Sequence, residues 1–296
     1  MSPKSTSVSV IGPGALGGAV IDFLRNKSLL FTLHSVWGRS AKDSYFYSTE
    51  SKAQPQKDFP DKDEDLGRLI LITTPDEQIS VVAEMLSDEK IDWSSRTVVH
   101  MSGSLSHLEL NNLRKAGAQT CSLHPLQTFS KGDAADRFSG IWFTLQGEES
   151  CNLMMQNLVT ETGAHLKKMT AEQKKSMHLA AVFASNYLVS LMNVVEQITH
   201  SNSIEDGLEM LNPIILQTVE NIFTRGTEQS LSGPIARGDE STVKNHLQQM
   251  GHDTDLARLY KYLGKSALTI AQKNGRITAQ EFDKISDILA TDENPK

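Results

Sequence analysis

Apolar residues follow two different rhythms along the chain. Over the first half, short apolar runs alternate with stretches in which apolar positions recur every three or four residues. The runs Val8 to Ile11, Leu33 to Trp37, Leu69 to Thr73, Thr97 to Met101, Gln119 to Leu123 and Ile141 to Leu145 are predicted as strands. Leu69-Ile70-Leu71-Ile72 has no polar face, as expected of a strand covered by helices on both sides of a parallel sheet. After Pro75, Asp76 can cap a helix along which Ile79, Val82, Ala83 and Leu86 recur at helical spacing. The polar stretch Ala41 to Asp65 carries Gln54-Pro55, Phe59-Pro60 and an acidic run from Asp61, and is predicted as a surface excursion around a short third strand. From Ala171 the strand signal disappears. Helices are predicted over Ala171 to His200, Ile204 to Thr224, Ser241 to Gln249, Asp253 to Lys273 and Ala279 to Ala290. This order of elements predicts an α/β fold: a doubly wound, Rossmann-like parallel sheet over residues 1–168, then an all-helical domain over residues 169–296.

The first strand runs into Gly12-Pro13-Gly14-Ala15-Leu16-Gly17, a GxGxxG turn that opens a helical pattern. The first glycine permits the tight turn, the second lets backbone approach a diphosphate, and Gly17 lets helix pack on strand. The amides of Gly14, Ala15, Leu16 and Gly17 would then face the anion at the positive end of the helix. A tight turn without ligand has the same glycines, but the strand before it and the alternation after it favour a dinucleotide. The second strand ends Val36-Trp37-Gly38-Arg39-Ser40, where an NAD-binding chain usually offers an acid to the ribose hydroxyls. A guanidinium and a hydroxyl, with Lys42 nearby, suit a 2′-phosphate, so NADP is expected over NAD. Thr73-Thr74-Pro75 and Ser102-Gly103-Ser104 end the next long strands and are expected to line the same groove, although each can equally cap a helix.

Composition narrows the remaining possibilities. The 296 residues, 39% hydrophobic and 22% charged, suffice for two domains, and a net charge of −7 opposes nucleic acid and anionic lipid. The partner is therefore expected to be a small molecule. Two cysteines without a CxxC pair, Cys121 and Cys151, fit a reducing compartment, and the histidines lack metal-ligand spacing, so no metal is expected. The N-terminal apolar stretch stops at Gly12 and nothing later approaches a membrane span, so a cytoplasmic protein without membrane attachment is expected.

Three clusters can carry chemistry. His124 stands before a proline at a predicted strand end, where it is either structural or in reach of a substrate. On the first helix of the second half, with Lys175 at 0° and about 100° per residue, His178 falls near 300°, Ser185 near 280° and Asn186 near 20°. These four form a polar stripe that either faces water or lines a ligand groove; Ala180, Ala181 and Ala184 suggest burial and favour the groove. The third cluster is Ser232-Gly233-Pro234-Ile235-Ala236-Arg237-Gly238-Asp239, a loop that either only joins helices or uses Arg237 to hold a substrate carboxylate with Asp239 orienting it.

Together "IGPGALGG", "HMSGSLS", "SLHPLQTF", "AAVFASNYL" and "GPIARGD" resemble a widespread bacterial family with a Rossmann-like NADP-binding domain followed by a helical domain of undefined function. The family is similar in architecture to pyrroline-5-carboxylate reductase, ketopantoate reductase, deazaflavin-dependent NADP oxidoreductase and the β-hydroxyacid and 6-phosphogluconate dehydrogenases. The resemblance implies a homodimer built through the helical domains and a cofactor cleft. β-Hydroxyacid dehydrogenases use a lysine with an asparagine one turn later; Lys175 could match the lysine, but position 179 is leucine.

Two functions fit. One is an NADP-dependent oxidoreductase that transfers hydride between nicotinamide and a small carbonyl, imine or hydroxy acid, with His178 the first choice of proton donor, Lys175 the second, and Asn186 orienting the substrate. The other is a non-catalytic NADP(H) sensor or scaffold.

Overall fold

The computed structural model describes residues 5–39, 41–47, 52–53, 59–87, 90–251 and 254–290. The chain forms two compact units that meet in sequence at Ser185 and Asn186. The first contains strands β1 (Thr6–Ile11), β2 (Phe31–Trp37), β3 (Tyr45–Tyr47), β4 (Lys52–Ala53), β5 (Leu69–Ile72), β6 (Thr97–His100), β7 (Gln119–Pro125), β8 (Trp142–Gly147) and β9 (His165–Lys168). Its helices are α1 (Ala15–Asn26), α2 (Asp76–Ser87), α3 (Asn111–Lys115), α4 (Asn152–Glu161) and α5 (Ala171–Ala184). The second contains α6 (Asn186–His200), α7 (Gly207–Ser230), α8 (Glu240–Met250), α9 (Asp255–Lys273) and α10 (Ala279–Ile288).

The strands form one sheet in the order β4-β3-β2-β1-β5-β6-β7-β8-β9. β2, β1, β5, β6 and β7 run parallel, as the doubly wound reading requires. A wholly parallel sheet is corrected at both ends, because β3 and β4 pair antiparallel beyond β2 and β8 runs antiparallel to β7. The edge strand β9, His-Leu-Lys-Lys, was not predicted; with one apolar residue it has too little pattern to read. The two-faced apolar strands behave as their sequence demands. Leu69 and Leu71 of β5 enter one core with α1 and α4, while Ile70 and Ile72 enter the other with α2 and α3.

The second unit packs around Ile235, Val243, Leu268, Ala271, Ile277, Ile285 and Leu289. α8, α9 and α10 match the predicted helices to within a few residues, whereas the single helix predicted over Ala171 to His200 is broken at Ser185 into α5 and α6, and α7 continues to Ser230 through Gly226, whose φ of 80° breaks the helix just after the predicted end. The division of the chain differs from the expected boundary at residue 168, since α5 belongs with the sheet. Two buried contacts, described below, tie it there. The expectation about membrane spans is also corrected. The run Ala171–His200 is long and apolar enough, by length and composition alone, to cross a bilayer, because its charges sit mostly at the two ends.

Candidate dinucleotide and reaction site

The glycine turn lies between β1 and α1, and each glycine has a separable reason. Gly12 has φ +97°, and a Cβ there would lie 2.8 Å from Thr74 Cγ2 and 2.9 Å from its amide nitrogen, so the fold itself excludes a side chain. At Gly17 a Cβ would meet the Gly12 carbonyl oxygen at 2.2 Å. Gly14 differs: nothing lies within 4 Å of where its Cβ would be. Gly14 is also the N-cap of α1, and no side chain caps the helix, so its first amides point outward without an acceptor from a cap. A bare backbone at an uncapped helix start, with open space where a side chain would stand, fits a diphosphate.

Around it is a groove of about 600 Å³ lined by Gly12, Pro13, Gly14, Trp37, Arg39, Asp43, Thr73, Thr74 and Pro75, among others. The sequence expectation brought together Gly12, Gly14, Arg39, Thr73, Thr74 and Pro75, and the structure places all six on this groove. Ala15, Leu16 and Gly17 form the first turn of α1 behind it. The Thr73 hydroxyl donates to the Gly12 carbonyl at 2.6 Å and so braces the turn, whereas the Thr74 hydroxyl is buried with no partner. Ser40 lies outside the described residues.

Ser102 and Gly103 stand elsewhere, past the end of β6, and Asp76 at the start of α2 links them to the groove. Its Oδ2 accepts from the Ser102 hydroxyl at 2.8 Å and the Ser104 hydroxyl at 2.6 Å, directly after the groove residues Thr74 and Pro75. Gly103 sits between two histidines. A Cβ on it would lie 2.6 Å from His178 Nδ1 on α5 and 2.8 Å from His124 Nε2 on β7, and the two rings meet edge to face at 6.3 Å. The His124 Nδ1–H donates to the Met101 carbonyl at 3.1 Å; a carbonyl can only accept, so in the neutral ring Nε2 carries the lone pair. Burial pulls the His124 pKa down to about 4, so the ring is neutral near pH 7. His100, fully buried below, donates from Nε2 to the Ser106 carbonyl at 2.9 Å and is likewise brought down to about 4, by burial first and the nearby Lys174 charge second.

Lys174 is the residue that sequence reading missed. It is 1% exposed, and its ammonium donates to the Ser102 carbonyl at 2.7 Å, to the Ser122 hydroxyl at 2.5 Å and to the Leu105 carbonyl. Burial brings its pKa down to about 8, against the pull of the Asp76 carboxylate. Lys175, chosen from the sequence, is exposed instead. The angular signal was present. Lys174 and His178 are one turn apart and share a face more closely than Lys175 and His178 do. The buried lysine at 174 and the half-buried histidine at 178 thus stand four residues apart on α5.

Other expected site residues are corrected. The Ser185 hydroxyl donates back to the Ala181 carbonyl at 2.8 Å, and the backbone departs from helix there, so the polar stripe does not continue past it. Ala180 and Ala184, taken as signs of burial, are exposed. Asn186 begins the second unit as an exposed residue. Asp239 is the N-cap of α8: it accepts from the Thr242 amide at 3.0 Å, the Thr242 hydroxyl at 2.6 Å and the Ser241 hydroxyl at 2.9 Å, which hold its pKa down to about 2. The hydrogen bonds of this carboxylate go to its own helix, and Arg237, close enough to act on it only through its charge, is exposed at the end of the preceding turn.

Residues 141–267 match the family model described as a domain of unknown function, DUF2520. No curated protein matches the chain. Among solved structures it is similar to BF3122 from Bacteroides fragilis, provisionally classed as an NADP oxidoreductase, at 22% identity over 90% of this chain and 98% of that one, with TM-score 0.68. Protein TM1727 from Thermotoga maritima is similar at 24% identity, 90% and 99% coverage and TM-score 0.68. Pyrroline carboxylate reductase from Plasmodium falciparum, solved with NADP bound, matches at 12% identity, 97% and 100% coverage and TM-score 0.54. The shared feature is the fold, a Rossmann-like, mostly parallel sheet followed by helices, which is the fold of NAD(P)-dependent oxidoreductases.

Proposed function

We propose that this protein is an NADP-dependent oxidoreductase acting on a small carbonyl, imine or hydroxy acid. One observation carries the reading: Asp76, directly after the groove residues Thr74 and Pro75, accepts from Ser102 and Ser104 on the turn whose Gly103 packs against His124 and His178, so the open, uncapped Gly14 turn and a pair of acid–base groups belong to one unit. A dinucleotide held by Gly14 and the first amides of α1 would supply hydride chemistry. Arg39 is the group for the 2′-phosphate.

His178 is the proton donor in this reading, giving a proton to the oxygen or nitrogen of the substrate. His124, locked as a neutral acceptor at Nε2, orients the substrate or receives the proton in the reverse direction. Lys174 positions the others. An ammonium has three protons, and all three have protein acceptors here, so its role is to hold the Ser102–Leu105 turn against α5.

The test is NADPH oxidation against keto acids, aldehydes and cyclic imines. His178→Ala is expected to lower turnover by about 10²–10⁴-fold while leaving NADPH affinity in place. Tight NADPH binding with no substrate turned over supports the sensor alternative, and absence of binding removes both readings.

We further propose a homodimer through the helical unit, in the cytoplasm. α6 buries none of its residues, and α7 exposes Met210, Ile214, Leu216 and, at 85%, Phe223. An apolar surface of this extent is characteristic of an interface. The free thiols of Cys121 and Cys151 suit a reducing compartment.

A further inference from the structure

The lip of the dinucleotide groove carries two opposite charges. We propose that Asp43 makes this a dual-specificity site, one that takes a 2′-hydroxyl and a 2′-phosphate on the adenosine ribose with comparable affinity. The proposal rests on the dinucleotide reading above and assigns a residue that reading does not use.

The placement of Asp43 follows from the residue after β2. A Cβ on Gly38 would lie 2.1 Å from Asp43 Cβ and 2.9 Å from the Asp43 carbonyl oxygen, so only a bare backbone lets the 41–43 turn fold back onto the strand end. The Gly38 N–H donates to the Ser44 hydroxyl at 2.9 Å, and Ser44 is fully buried. The turn is thus held against the strand end at Asp43 and Ser44, and Asp43 lines the groove together with Trp37, Gly38 and Arg39.

Each charge alone would select one nucleotide. A guanidinium at the lip attracts a 2′-phosphate dianion and forms parallel hydrogen bonds with it. A carboxylate accepts from ribose hydroxyls and repels the same phosphate. Both groups are solvent-exposed, so each charge–charge effect across the lip is worth only about five- to tenfold in affinity. Effects of that size and opposite sign offset one another. Arg39 keeps NADPH bound, and Asp43 keeps NADH from being excluded.

The decisive measurement is the pair of dissociation constants for NADPH and NADH, by calorimetry on the full chain at low and at physiological salt. The wild type is expected to bind the two within about tenfold of each other. Asp43→Asn should tighten NADPH about five- to tenfold and weaken NADH, and Asp43→Ser should move the ratio in the same direction. Arg39→Ala should do the reverse, weakening NADPH far more than NADH. All these differences should shrink as salt rises. A wild type that prefers one coenzyme by more than about a hundredfold, or an unchanged ratio in both Asp43 variants, overturns the proposal while leaving the dinucleotide reading in place. Failure of the wild type to bind either coenzyme removes the dinucleotide reading itself and this proposal with it.

Discussion

The Nζ of Lys174 lies 2.7 Å from the carbonyl oxygen of Ser102, 72 residues earlier in the chain. That contact fastens α5 to the turn after β6 and sets His178, one turn along the same helix, against Gly103. Removing the ammonium by Lys174→Met leaves two carbonyls and a hydroxyl without their donor. Each orphaned polar group costs about 1–3 kcal/mol, partly offset because a buried charge is removed as well. A drop in the urea midpoint is expected, along with a weaker response of activity to His178→Ala, since the histidine is no longer held in place. An unchanged midpoint would contradict the role assigned to Lys174.

Stability should depend on pH through the same cluster. His100 has a folded pKa of about 4 against 6.5 for the free side chain, so between these values the unfolded chain binds the proton more readily. Stability is then fully present above pH 6.5 and lost as pH falls towards 4, by about 3 kcal/mol for this fully buried group. His124 acts with the same sign over the same range. Lys174 has a folded value of about 8 against 10.5, so stability should rise as pH goes from 8 to 10.5. Urea titrations of wild type and His100→Asn check this: the variant should lose part of the acid-side slope.

Gly12 and Gly14 of the glycine turn should respond differently. Gly12→Ala meets Thr74 and requires an unfavourable positive φ, so it should destabilise the fold by about 1–3 kcal/mol. A Cβ at Gly14 meets nothing in the protein, so Gly14→Ala should cost less stability than Gly12→Ala, yet weaken NADPH at least about tenfold by filling the cradle. Equal loss of stability in both variants would mean that Gly14 is there for the fold.

Asp239 should behave as a cap. Asp239→Ala is expected to lower the melting temperature by a few degrees, and Asp239→Asn or Asp239→Ser to restore most of it, with the Michaelis constant for any substrate unchanged. A large change in that constant without a change in melting would return Asp239 to the substrate.

The exposed apolar helices give the oligomer test. Phe223→Glu combined with Ile214→Glu should convert a dimer into a monomer in light scattering. Recovery of the wild type in the membrane fraction, where Ala171–His200 would be the spanning segment, would refute the dimer reading.

The glycine turn is legible in the sequence because its requirements are local. Gly12 needs a positive φ, Gly17 must clear the Gly12 carbonyl, and the strand and helix that flank them announce themselves by period. The same holds for the alternation of β5, where adjacent residues enter opposite cores, and for the helical second half. The lysine is not legible. Lys174 and Lys175 are chemically identical neighbours, and only the packing of α5 onto the turn at Ser102 decides which one is desolvated.

The sequence by itself determined the alternation of strands and helices in the first half, the glycine turn and the face of α5 on which His178 lies, since backbone sterics and side-chain periodicity act over a few residues. Tertiary structure alone decided that Lys174 is buried, that His124 is held neutral at one tautomer, that Asp239 serves its own helix and that Asp43 and Arg39 line one groove. Each of these depends on desolvation or a hydrogen bond supplied by a partner that local sequence pattern does not specify, and a charge takes its role from the medium and the acceptors around it.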